Sequence, residues 1–318
     1  MKKTIKASQM AKLYTSILLI TCFSFCQYAH AQTLKTVLIQ YVTGDEYGIP
    51  EELLNETVRF GEIANLSQPY LADSLVGISL KTYALLYSKT LQTAQVDDRR
   101  AFIHLVLDAL NDGTSGGLAE QLIAYLPHFH RNDFDVSAKE KIEKLLEKGT
   151  AHFAQFVKIA GFVLEDQAPF QQLLDTSTDK PLSRSVKESV YLALARNGNP
   201  SKLDVVQRSI RTLALGDDFI YYAVPVIIYV RQKGPTDYLL NLILQNDQAC
   251  TPADAETTGN ISCAYRLLEM VAPVIVDFPL EVSASGDLAV DDYPAALEEA
   301  REWIKLHRDN YQLRRDLY

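Results

Sequence analysis

Apolar residues between positions 186 and 213 recur three and four apart. Val186, Val190, Ala193 and Leu194 form one stripe, and Leu203, Val206, Ile210 and Leu213 form a second. That spacing is the helical period. The opposite face of the second stripe is polar, with Asp204, Gln207, Arg208 and Arg211. Between the stripes, Gly198 stands where a helix end favours a residue tolerant of left-handed backbone. Asn199 can cap the helix that follows, and Pro200 suits its first turn, where no N–H is needed. The stretch therefore predicts a helical hairpin. A phosphate-binding loop requires a preceding strand and a different glycine spacing, and neither is present.

The same pattern recurs along the chain. One helical run begins at His152 and breaks at Ala168-Pro169; another begins at Phe219 and breaks at Gly234-Pro235. Upstream, the run from Gly117 is followed by a second helix, predicted to open with a capping box at Ser137 and Glu140 and to close at Gly149. Unit starts near Gly117, Thr150, Ser185 and Phe219 lie 33 to 35 residues apart. Helix pairs at that period predict an all-α fold, a right-handed α-solenoid of about six antiparallel helix pairs. Residues 32–116 are read as an atypical N-terminal helical cap, with helices over 51–66 and 70–91 and a seam at 115–118. Residues 117–318 are read as the repeat array. At its end, one helix is predicted over 263–276 and a capping helix over 295–307, with Leu297, Trp303 and Ile304 closing the core. The charged stretch after it is expected to face water.

The unit at 186–206 resembles the HEAT repeat, in the short variant shared with phycobilisome-lyase-like proteins. Val186-Lys187, Ala193-Leu194, Gly198-Asn199-Pro200, Leu203 and Val206 stand at the positions of that pattern. Ala195, Asn197 and Asp204 depart from it, and the likeness fades before residue 150. Ankyrin and tetratricopeptide signatures are missing. The resemblance implies a protein-binding scaffold, an inference from fold alone. It also implies a bilin-handling role, which suits cytoplasmic relatives and not an exported chain.

Export is predicted from the first residues. Lys2, Lys3, Lys6 and Lys12 precede an apolar run from Leu13 to Phe25, then Ala29 and Ala31 flank His30. This is the order of a secretory signal peptide over 1–31, with cleavage after Ala31; lipoprotein processing at Cys22 is the alternative. The apolar run is short for a membrane span, and no later segment is long enough, so no transmembrane span is expected. Loss of those four lysines takes the formal charge from −9 to −13. Such a charge argues against a nucleic-acid partner. Of the four cysteines, Cys250 and Cys263 remain, and in an oxidising compartment they predict a disulfide.

Motifs for catalysis are sparse, and no catalytic residue or cofactor is assigned. His128, His130, Asp133 and Asp135 in "HFHRNDFD" have metal-ligand character but fall in a predicted polar inter-helix loop. They support the alternative of a metal-dependent or toroidal all-α enzyme of the cell envelope. His104 and His152 are read as partly buried structural residues. Curved helix-pair arrays usually bind on the concave surface lined by their second helices. The solvent-facing residues there are Lys202, Gln207, Arg208 and Arg211 in one unit, then Asp237, Asn241 and Gln245 in the next. They are the candidate contacts for a protein or peptide partner of the cell envelope.

Overall fold

The computed structural model describes residues 32–46, 48–114, 116–176, 181–245, 248–252, 259–283 and 287–318. The signal-peptide and Cys22 readings lie outside them. The described chain is all-α. Its sheet among these residues is a two-residue antiparallel pair, Ala249–Cys250 against Ile261–Ser262, plus isolated bridges Ile275–Leu313 and Val282–Leu288. The chain divides into two compact units, one up to Phe102 and one from Ile103 onward.

The first unit holds α1 (32–43), α2 (Glu51–Leu54), α3 (Phe60–Leu71) and α4 (Val76–Gln92). Leu34, Leu38, Leu53, Phe60, Ile63, Leu85 and Leu86 fill its core. The helix predicted over 51–66 is broken because the Asn55 side chain accepts from the Thr57 N–H at 2.9 Å, turning the chain locally. The next predicted boundary, at residue 70, moves to 76. Asp73 takes the Leu75 N–H at 2.8 Å, and Pro69 lies inside α3. Lys89 is buried and donates to the Leu54 and Asn55 carbonyls at 3.2 and 2.6 Å, closing the end of α2.

The division falls within α5 (Val96–Asn111). The second unit continues through α6 (Gly116–Tyr125), α7 (Val136–Lys148), α8 (Phe153–Leu164), α9 (Ala168–Thr176), α10 (Arg184–Arg196) and α11 (Pro200–Ile210). A π-helical turn at Phe219–Ala223 leads into α12 (Val224–Val230). Then come α13 (Lys233–Gln245), α14 (Cys263–Val271) and α15 (Tyr293–His307). The helices pack in a regular order: α8 touches α6 and α10, α12 touches α10 and α14, and α11, α13 and α15 each lie on the helix before them.

The hairpin at 186–206 forms as the sequence dictates. Gly198 has φ +79°, the Asn199 N–H reaches back to the Leu194 carbonyl at 2.9 Å, and the Asn199 side chain accepts from the Lys202 N–H at 3.1 Å. Val190, Ala193, Leu194, Val206 and Ile210 are buried. Neighbouring turns are tied together: Gln167 Nε2 donates to the Asn197 carbonyl at 2.8 Å, and Gln232 Nε2 to the Arg196 carbonyl at 2.7 Å.

Three local expectations are corrected. The cap of α7 is Asp135, accepting from the Ala138 N–H at 2.8 Å, so Ser137 lies inside the helix and there is no Ser137–Glu140 box. Gly149 does close that helix, at φ +77°. The helix predicted to reach residue 276 stops at Val271 and tightens to 3₁₀ over Ala272–Val274, where Pro273 removes a donor. His152 is exposed, in left-handed backbone ahead of α8, whereas His104 is half-buried. The capping helix forms as expected, with Leu297 and Ile304 buried and Trp303 packed edge-on to Phe278 at 5.0 Å.

Candidate functional site

The seven candidate partner residues occupy α11, its C-cap and α13, and the structure gives each a neighbour or an exposure. The Lys202 ammonium sits over the Tyr191 ring at 4.1 Å. Gln207 lies against α13, where a Cβ on Gly234 would come within 2.5 Å of its Nε2. Arg208 is largely exposed and pairs with Asp204 at 2.9 Å, one turn earlier on the same helix. Arg211 is exposed, its guanidinium 5.9 Å from the Tyr238 ring centroid. Gln245 is exposed at the end of α13. Asp237 and Asn241 are engaged by the end of the chain itself: Tyr311 donates to Asp237 at 2.9 Å, and Arg308 to Asn241 at 3.1 Å.

The histidine-rich loop folds into two 3₁₀ turns, Leu126–His128 and Arg131–Asp133. Its members are used separately. Asp133 is buried and accepts from the His130 N–H at 3.2 Å. Asp135 caps α7 and contacts His104 Nε2 at 3.1 Å, and His130 Nδ1 lies 3.3 Å from the Asp316 carboxylate. Among the described residues, no group of three or more His, Cys, Asp or Glu side chains is placed to hold a metal ion.

Sequence reasoning missed the most elaborate polar site in the second unit. Residues 308–318, expected in water, run back over the ends of α8, α10, α12 and α14. The Val276 N–H donates to the Gln312 carbonyl and Arg314 returns a bond to the Val274 carbonyl, both at 2.9 Å. The Arg131 N–H meets the Asp316 carbonyl at 2.8 Å. Arg196 donates to the Leu317 carbonyl at 2.9 Å and to the Tyr229 carbonyl. Arg231 donates to the main-chain oxygens of Arg314 and Tyr318. The Tyr318 ring is seated edge-on to Phe162 at 5.8 Å and tilted against Tyr229 at 5.5 Å.

Two charged side chains lie buried under this segment: Arg196 is 2% exposed and Arg231 4%. Burial lowers both guanidiniums to about 10, offset for Arg196 by its phenolic neighbours and deepened in each case by nearby cations. Arg196 is also sandwiched, its guanidinium 5.0 Å from the Phe162 ring and 5.1 Å from the Tyr229 ring. Burial holds the Tyr318 hydroxyl up at about 12. A second exposed feature is the Tyr221–Tyr222 pair on the π-helical turn, 73% and 62% exposed, with rings 4.9 Å apart.

Comparison of the chain with family models, curated proteins and solved structures finds no match. Among the described residues, no helix is long and apolar enough to cross a membrane. Cys250 and Cys263 are joined in a disulfide, both residues in the core.

Proposed function

We propose that the protein is an exported scaffold, an α-solenoid of HEAT-like helix pairs that holds a protein or peptide partner on the surface of α11 and α13. The observation that carries this reading is the order of packing in the second unit. Helices α6, α8, α10, α12 and α14 each touch the next, and the turns between pairs are bonded from one pair to the following one. A stack of that kind presents a row of second helices to solvent. The 33–35-residue period and the HEAT-like hairpin at 186–206 support the same architecture. Export is supported by the lysine-led apolar segment at the start of the chain and by a disulfide of the sort that persists in oxidising compartments.

Arg208 and Arg211 are exposed cations of the proposed face. Arg208→Glu with Arg211→Glu reverses two charges without touching the core. In a cross-linked capture from the cell envelope, the parent chain retains a specific partner and this variant loses most of it. A partner retained equally by both chains places the site elsewhere. No specific partner at all removes the scaffold reading.

A further inference from the structure

We propose that residues 311–318 are a displaceable strap occupying a peptide groove, and that the groove takes an extended acidic segment of a partner in the strap's place. This goes beyond the scaffold reading by adding a second contact for the partner, and rests on it.

The groove reads main chain. Gln312, Arg314, Asp316, Leu317 and Tyr318 all accept through main-chain oxygens, and Leu313 pairs with Ile275 in an antiparallel bridge. Recognition of this kind accepts any extended backbone, and side-chain pockets supply the selectivity. Here the pockets are two: the Phe162–Tyr229 cleft for an aromatic ring, and His130 beside an acid at the position of Asp316.

The native occupant suits the charge of the groove poorly. Arg196 directs its bonds to the neutral carbonyls of Tyr229 and Leu317, Arg231 bonds to the main-chain oxygens of Ile228, Arg314 and Tyr318, and among the described residues neither is ion-paired with a side-chain carboxylate. The strap then adds Arg315 beside Arg196 and Arg314 beside Arg231, like charges that oppose the buried cations; Asp316 favours the Arg231 charge. Arg315 recovers part of that cost by donating to the Arg196 carbonyl at 2.9 Å and lying 4.0 Å from Glu165, which also pairs with Arg131. A guanidinium bonded to a carboxylate is held about twice as strongly as one bonded to a neutral oxygen. An extended segment bearing acids where the strap has Arg314 and Arg315 therefore outcompetes it.

Backbone strain marks the same place. Glu165 and Arg231 close α8 and α12 in left-handed conformation, at φ +53° and +47°, and both turn their side chains onto the strap. That conformation is sparsely populated by non-glycine residues and concentrates at binding sites.

The test uses two fluorescein-labelled octapeptides, the native YQLRRDLY and its acidic form YQLDDDLY, read by fluorescence polarisation. A chain ending at Asn310, shown helical by circular dichroism, binds the acidic probe at least about fivefold more tightly than the native one, as acids in place of Arg314 and Arg315 beside the buried guanidiniums require. The full chain binds the acidic probe roughly tenfold more weakly than the shortened chain, and Arg231→Gln in the shortened chain costs about a further tenfold. A folded shortened chain that binds neither probe, or prefers the native one, overturns the proposal. Should the shortened chain unfold, Tyr318→Ala in the full chain replaces it: tighter acidic-probe binding than the parent supports the strap, and unchanged binding overturns it. Partner capture that survives while probe binding fails leaves the scaffold standing and removes only the groove.

Discussion

Gly161→Val lowers the stability of the second unit by about 3 kcal/mol, at the upper end of the cost of overpacking a filled core. Gly161 lies in α8 where α10 crosses it. A Cβ there would stand 2.6 Å from the Ala193 Cβ, 2.9 Å from the Ala193 Cα and 2.6 Å from the Tyr229 hydroxyl. The Ala193 Cα is backbone and cannot turn aside. Tyr229 is pinned by its bond to the Lys158 carbonyl at 2.8 Å, and the Gly161 carbonyl accepts from Asn197 at 3.2 Å. Any side chain must push α10 away, opening the Arg196 sandwich and the strap above it. The expected fall in Tm is about 6–12 °C. Gly77 on α4 provides the control, because a Cβ there would meet nothing within 4 Å. Gly77→Ala is neutral or stabilises by up to ~1 kcal/mol, the difference in helix propensity. Urea unfolding followed by circular dichroism separates the two. A Gly161→Val chain as stable as the parent would refute the close crossing of α8 and α10.

Loss of the Cys250–Cys263 bond comes second. The bond closes a loop of sequence separation 13, which on the chain-entropy model stabilises by roughly 3 kcal/mol. It clamps the short Ala249–Cys250 and Ile261–Ser262 ladder to the start of α14, and both cysteines sit in the core with Leu267 and Leu268. Beyond the ladder, Asp217 holds the Thr251 N–H at 2.9 Å and its hydroxyl at 2.7 Å, bonds that keep its carboxyl below its usual range. Reduction frees this corner. Thermal unfolding of the parent therefore shifts downward by about 6–12 °C in dithiothreitol. A Cys250→Ser, Cys263→Ser chain starts at the lower midpoint and ignores the reductant. A parent indifferent to reductant would mean that the bond contributes nothing to the fold.

The hairpin of α10 and α11 was legible because its signals agree. Helical stripes, a left-handed glycine, an asparagine cap and a first-turn proline all indicate one turn at one place. The disulfide and the capping helix were legible on similar grounds. Residues 51–92 were less so because short polar side chains decide there. Asn55 and Asp73 bind nearby N–H groups, and Pro69 is tolerated within α3, so the breaks moved by several residues. The strap was hidden by charge. Its arginines and aspartate read as solvated, yet Tyr311, Leu313 and Leu317 fall on alternate positions, the period of an extended segment against a surface. Arg196 and Arg231 carried a fainter signal. Each stands at the C-terminal end of a helix, 35 residues apart, where a cation usually just complements the helix dipole. That each is covered depends on a segment more than 80 residues further along, beyond the reach of any local pattern.

If the helix-pair stack of the second unit holds a partner, binding must protect the second helices of its pairs. Hydrogen–deuterium exchange of the full chain, with and without the partner it captures, reads that protection segment by segment. Slowed exchange is expected in Pro200–Ile210 and Lys233–Gln245, with residues 32–102 unchanged. Slowing confined to residues 32–102, or none anywhere in the described chain, would contradict the scaffold reading.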